Sequence, residues 1–210
     1  MQIVVMAILI LALTATATTF VVMGIRQTRR TRRLARRAEE RGLLFSSDDP
    51  FDIPERYRRF TLMSCGHSPR AVNVAHGRLD ALPLRAFEFH YEIGHGTRRT
   101  TCRYTAVIVD MRSETGDLIM WNHTDAESTP LEARDAPGRI GCWSCRGRSD
   151  QAERLAQAAG GLAAEGLSLQ IRGTEMLLSL PAARVKGRDY FTWLDEAVHL
   201  ARTAGGPEDG

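Results

Sequence analysis

Cys142-Trp143-Ser144-Cys145 is the motif in this chain with the clearest chemical potential. Two cysteines three apart can work as a redox dithiol or supply half of a zinc site. The redox use needs its first cysteine at a helix N-terminus, where the helix dipole lowers the thiol pKa. Here the helical pattern starts only near residue 150. The zinc use needs two more ligands, for which Cys65, His67 and Cys102 are the candidates, and a single cysteine pair is a weaker signal than two pairs. On a strand, residues three apart point to opposite faces, so both thiolates reach one metal only where the chain turns between them. Small apolar packing residues are the simpler account of all four cysteines.

A second cluster is His90, Glu92 and His95. His90 and Glu92 share a strand face and His95 lies in a glycine turn, so three ligand types converge only if strand and turn fold back together. A solvated sheet face explains them without metal. Cys65-Gly66-His67 sets a thiol beside an imidazole in sequence, but adjacency does not supply the orientation that nucleophilic catalysis needs. Gly94-His95-Gly96-Thr97-Arg98-Arg99 starts like a dinucleotide fingerprint, yet lacks the third glycine and joins strand to strand. No phosphate-cradling loop or nucleophile elbow occurs, and Lys186 is the sole lysine. These residues therefore predict no catalytic group and no cofactor, with Cys65, His67, Cys142 and Cys145 as metal or redox candidates under an alternative reading.

The elements that position these groups start with residues 3–25, an uncharged apolar run long enough to cross a bilayer core of about 30 Å. Arg26, Arg29, Arg30, Arg32, Arg33, Arg36 and Arg37 follow with no acid among them. By the positive-inside rule this predicts a single-pass anchor in the cell membrane, N-terminus outside and the remainder cytoplasmic. Ala15-Thr16-Ala17 imitates a signal-peptide cleavage site, but no basic n-region precedes it and the apolar run continues past it. In a reducing cytoplasm the cysteines are not expected to form disulfides.

The charge is uneven. The chain has 28 basic and 25 acidic residues, and residues 26–41 hold eight arginines against Glu39 and Glu40, leaving 20 basic and 23 acidic elsewhere. The basicity belongs to the juxtamembrane stretch, which predicts attraction to anionic lipid headgroups and argues against a nucleic-acid reader.

Composition divides the chain into an anchor at 1–25, an arginine-rich helix at 26–41, a linker at 42–53, a domain at 54–204 and a disordered tail at 205–210. Gly42 is read as the helix stop, and Pro54 as starting a short helix that carries Tyr57 and Phe60 to the core. Val72 and Val74, then Phe87, Phe89 and Tyr91, then Cys102, Tyr104, Ala106 and Ile108 alternate at period two. They predict a three-strand meander, to which 118–121 adds. A loop with a helical turn near Leu131 is expected at 122–139, and one strand at 140–144. Asp150 and Glu153 suggest a capping box for a helix running to Gly166. A hairpin turning at Gly173-Thr174 follows, then an amphipathic helix at 189–203. Strands grouped apart from helices predict an α+β fold with an antiparallel sheet and packing helices.

Phe60, Leu62, Gly66 and His67, then Ala71, Asn73, Val74 and Gly77, then Ala86, Phe87, Phe89, Tyr91, Glu92, Gly94 and Gly96 form a spaced pattern. It resembles a group of uncharacterised bacterial proteins with a single N-terminal membrane helix, an arginine-rich flank and a C-terminal helix. The resemblance implies a shared architecture and assigns no catalytic residue. Together these features predict a membrane-tethered, non-catalytic module that binds an unknown protein partner.

Overall fold

The computed structural model describes residues 2–122, 138–182 and 190–205. The expected turn near Leu131 and the end of the tail lie outside the described residues. Helix α1 runs unbroken from Gln2 to Glu40, about 58 Å at the usual rise. Its first part meets the length and composition required to cross a membrane and buries nothing against the protein. Thr14, Thr16, Thr18 and Thr19 each donate to a backbone carbonyl one turn back, at 2.7–3.0 Å. These bonds occupy hydroxyls that hydrocarbon would leave unpaired.

Gly42, at φ 69°, ends the helix as the sequence predicts. Gly42 N–H bonds Glu39 O at 2.9 Å and Leu43 N–H bonds Ala38 O at 2.8 Å, with Leu43 and Ala38 both buried. That is the Schellman pattern, with its accompanying hydrophobic contact. The chain then enters the sheet at once. Strand β1 (Leu44–Ser46) lies in the stretch read as linker, and Asp49 carboxylate oxygens accept from Phe51 and Ile53 N–H to start helix α2 (Ile53–Arg56).

The remaining strands are β2 (His67–Leu79), β3 (Leu82–Ile93), β4 (Thr100–Asp110), β5 (Leu118–Asn122), β6 (Gly138–Ile140), β7 (Trp143–Gly147), β8 (Ser168–Arg172) and β9 (Glu175–Pro181). They form one antiparallel sheet in the order β1-β2-β3-β4-β9-β8-β5-β7-β6. The β2-β3-β4 meander is as the alternation predicts. The expected place of β5 beside it is not: β9 pairs with β4, and β5 lies between β8 and β7. The β8–β9 hairpin is buried along nearly its whole length, its polar Ser168, Gln170 and Ser179 included, which requires the middle of a covered sheet. Both edges are three-residue strands, too short to template further pairing.

Residues 140–144 are not one strand. Gly141, at φ 57°, turns the chain between β6 and β7, and Cys142 sits in that turn. The capping box is also absent: helix α3 (Ser149–Ala159) has Arg148 at its N-cap, and Asp150 pairs with Arg148 and Arg154. Gly160 ends α3 in a 3-10 turn, where the sequence reading carried a helix to Gly166. A 3-10 turn at Tyr190–Trp193 leads into helix α4 (Leu194–Gly205).

The sheet is covered on both faces. One carries the second half of α1 with α3 and α4, over Leu84, Val107, Leu169 and Leu178. The other carries α2 and the 3-10 turn Thr61–Ser64, over Phe87, Phe89, Tyr91, Ala106 and Ile108. The chain is thus an apolar N-terminal helix followed by a large antiparallel sheet packed by helices.

Candidate functional site

Arg30, Leu34, Arg37 and Ala38 on α1, with Arg41 just beyond its end, engage the domain. Their spacings of four, three, one and three place them along one helical face. Leu34 is 2% exposed and Ala38 0%, inside the core. Arg30 Nη2 donates to Glu88 Oε1 at 2.6 Å, the Arg37 guanidinium lies 5.3 Å from the Phe191 ring centre, and Arg41 grips both carboxylate oxygens of Asp195 at 2.9 and 3.2 Å. Hence the seven juxtamembrane arginines divide. Arg30 and Arg37 hold the domain, while Arg26, Arg29, Arg32, Arg33 and Arg36 stay on exposed faces, Arg36 beside Glu40 at 3.0 Å.

Glu88 is the fixed point of the junction. Its second oxygen accepts from Asn73 Nδ2 at 3.2 Å, and the Asn73 carbonyl accepts from the Tyr190 hydroxyl at 2.8 Å. Asn73 occupies a register shift in β2 at φ 53°, a left-handed conformation that asparagine tolerates better than most residues. The bulge turns its amide toward Glu88 and sends Val74 to the opposite core. Asn73, Tyr190, Leu34 and Ala38 were not candidates from sequence. The three-and-four spacing from residue 30 to 41 was the available signal, obscured by the arginines within it.

Two residues beyond Glu88, His90 lies in register between Arg70 on β2 and Arg103 on β4. Burial, then the charges of Arg103, Arg70 and Arg30, bring its pKa down to about 4. The folded state therefore keeps His90 neutral where the unfolded chain, titrating near 6.5, takes up a proton. Stability is complete above pH 6.5, falls as pH drops toward 4, and levels off below that. The expected loss is about 2 kcal/mol, less than the full shift because Arg70 and Arg103 face solvent and are screened. Thermal unfolding at pH 7 and pH 4.5 tests this, since His90→Gln should shrink the difference between the two pH values.

The sequence-predicted chemical residues fall into separate places. Cys65 and His67 stand at the start of β2, whereas Cys142 and Cys145 belong to the β6–β7 turn and β7. Six strand spacings separate β2 from β7, roughly 29 Å, so the four cannot share one metal. Cys142 is exposed and Cys145 buried, and all four cysteines are thiols. Burial pushes the Cys145 thiol up, with Glu153 adding to it. Burial likewise pushes the Cys65 thiol up, with Cys102 adding, and Cys65 Sγ donates to Thr61 O at 3.1 Å. Neither is an activated thiolate.

His67 and His95, read from sequence in different clusters, meet with ring centres 4.8 Å apart, while Glu92 is taken by Arg99 at 3.1 Å. Among the described residues, no three His, Cys, Asp or Glu side chains are arranged to hold a metal ion. Gly66, at φ 63°, has no room for a side chain, since a Cβ would stand 2.3 Å from Glu92 O. Its place in the Cys65-Gly66-His67 motif is a close crossing of backbones.

No protein-family model matches the chain, and no curated protein matches it in sequence. Among solved structures, the mycobacterial trehalose monomycolate transport factor A, TtfA, is similar with a TM-score of 0.57 and 17% identity, over 82% of this chain and 90% of that one. At that identity the likeness is one of fold alone.

Proposed function

We propose that this protein is a non-catalytic interaction module, held on the cytoplasmic face of a cell membrane with its N-terminus outside, that serves a protein partner in the transport of envelope lipids. The observation that carries the reading is the burial of Leu34 and Ala38, which makes the end of the membrane helix part of the domain core. A module joined this way is held at a set distance and orientation from the bilayer, and tethering raises its effective concentration toward a membrane partner. The orientation follows from the arginines after the apolar run. Arg26, Arg29, Arg32, Arg33 and Arg36 are available to anionic headgroups. On this reading the folding unit begins near Arg30 and not at residue 54. The class of process is suggested by the fold likeness to a protein titled a transport factor.

A reporter active only outside the cytoplasm, fused after Gly210, should be silent; strong activity rejects the orientation. Photo-crosslinking in intact membranes should capture a membrane protein of a lipid-transport assembly. Turnover of a small molecule by the purified chain, with no such capture, counts against the binding role.

A further inference from the structure

Two contacts set the direction of α1 along the sheet. Leu43, just after the helix, lies against Gly77, which is opposite Leu84 on β3; Arg30 lies against Glu88 on the same strand. Moving from Leu84 to Glu88 therefore moves up α1 toward its apolar segment. Beyond Glu88, β3 continues five residues to Ile93, about 16 Å. Beyond Arg30, α1 needs five residues to reach Ile25, roughly 8 Å. The 94–99 turn between β3 and β4 thus comes level with the start of the apolar run.

That end of the sheet is basic and open. In 67–70 and 90–103 the charged residues are Arg70, Arg98, Arg99 and Arg103 against the single acid Glu92, with His67, His90 and His95 among them. Arg70, Arg98, Arg99 and Arg103 are exposed, and Glu92 is paired with Arg99. Ile93, 45% exposed, stands at the tip. Guanidinium groups around an exposed aliphatic residue, on the same side as a membrane helix, match an anionic bilayer surface: phosphates meet the arginines and the isoleucine enters the headgroup boundary.

We propose that the β2–β3–β4 end docks on the membrane, with Arg70, Arg98 and Arg103 binding anionic phospholipid headgroups and Ile93 entering the interface. This rests on the tethered reading above. It adds a second attachment, made by the domain itself, that fixes the tilt of the sheet over the bilayer and leaves the β5–β7–β6 end to face a partner.

The test is amide hydrogen exchange of the full chain in nanodiscs of phosphatidylcholine alone or mixed with phosphatidylglycerol. Peptides covering 67–70 and 93–101 should exchange roughly tenfold slower in the anionic discs. An Arg70→Gln/Arg98→Gln/Arg103→Gln variant, altered only at exposed positions, should keep its melting temperature and exchange at the neutral-disc rate in both lipids. Equal wild-type rates in the two lipids overturn the docking, as does a variant still slowed by anionic lipid. Slowing in native membranes that is absent from lipid-only discs overturns it in favour of a protein contact. A chain that never enters the discs overturns the tether and the docking together, whereas one that enters with an unslowed hairpin overturns the docking alone.

Discussion

Leu34→Asp is expected to lower the stability of the full chain by about 4 kcal/mol and its melting temperature by roughly 10 °C. Leu34 is 2% exposed among the side chains of the larger core. Removing it forfeits the transfer energy of a buried leucine, about 2–3 kcal/mol. The incoming carboxylate must then protonate, or draw the helix away from the sheet to reach water. At neutral pH the second outcome is favoured and frees the segment between Arg26 and Arg41, so limited proteolysis in membranes should cut there in the variant and not in the wild type. Arg33→Gln, on an exposed face one residue away, should change stability by no more than about 0.5 kcal/mol. If Leu34→Asp melts with the wild type and its arginine segment resists protease, the helix is a mere leash and the module reading loses its foundation.

The central strands β3 and β4 were legible because their side chains alternate, whereas the bulge at Asn73 in β2 puts Val74 out of phase with Val72. Phe87, Phe89 and Tyr91 face one core while Leu84, Ala86 and Glu88 face the other, as period two requires. What alternation does not encode is which strand neighbours which. The β8–β9 hairpin inserts between β4 and β5 because Leu169, Ile171, Leu177 and Leu178 need cover on both faces, a demand that becomes specific only once every other strand has its place. The missed turn at Gly141-Cys142 has a local cause. Ile140, Trp143 and Cys145 look strand-forming in a row, yet Gly141 supplies a left-handed φ that reverses the chain. The false capping box failed because α3 starts before Asp150, with Arg148 at its N-cap, so Asp150 lies inside the first turn and pairs with Arg148 and Arg154. Those two arginines, together with a hydrogen bond from Gln151 N–H, hold the Asp150 carboxyl below its ordinary range.

At the junction, arginine hid the pattern. A stripe of Arg30, Leu34, Arg37, Ala38 and Arg41 reads as a charged, solvated helix because only two members are apolar. Its guanidinium groups nonetheless bind inward, to Glu88, Phe191 and Asp195. Arginine is suited to this, since a planar cation stacks on rings and forks onto carboxylates while its stem covers apolar surface. Glu88 was placed on the polar face of β3 by alternation, which was right about the face. That the face would be covered by α1 depended on a contact 58 residues distant in sequence, beyond the reach of any local pattern.

Glu88→Lys tests that contact by reversing its charge, with an expected loss of about 4 kcal/mol. Glu88 is 7% exposed, so a lysine there has little access to water and faces Arg30, with Arg70 and Arg103 one pair further along, flanking His90. Arg30→Ala alone should lose only about 1–2 kcal/mol, because the Arg30 side chain is 56% exposed and Asn73 still donates to the carboxylate. The two changes are coupled through one hydrogen bond, so their effects should not add. Arg30→Glu combined with Glu88→Lys restores an opposite pair across the same gap, and the Asn73 amide can turn its oxygen toward the lysine. Recovery of about half the loss is expected in that double variant. Strictly additive losses would mean that Arg30 and Glu88 do not interact in the membrane-bound protein, and that the anchor helix is held to the domain by its other contacts, with Leu34 and Ala38 at their centre.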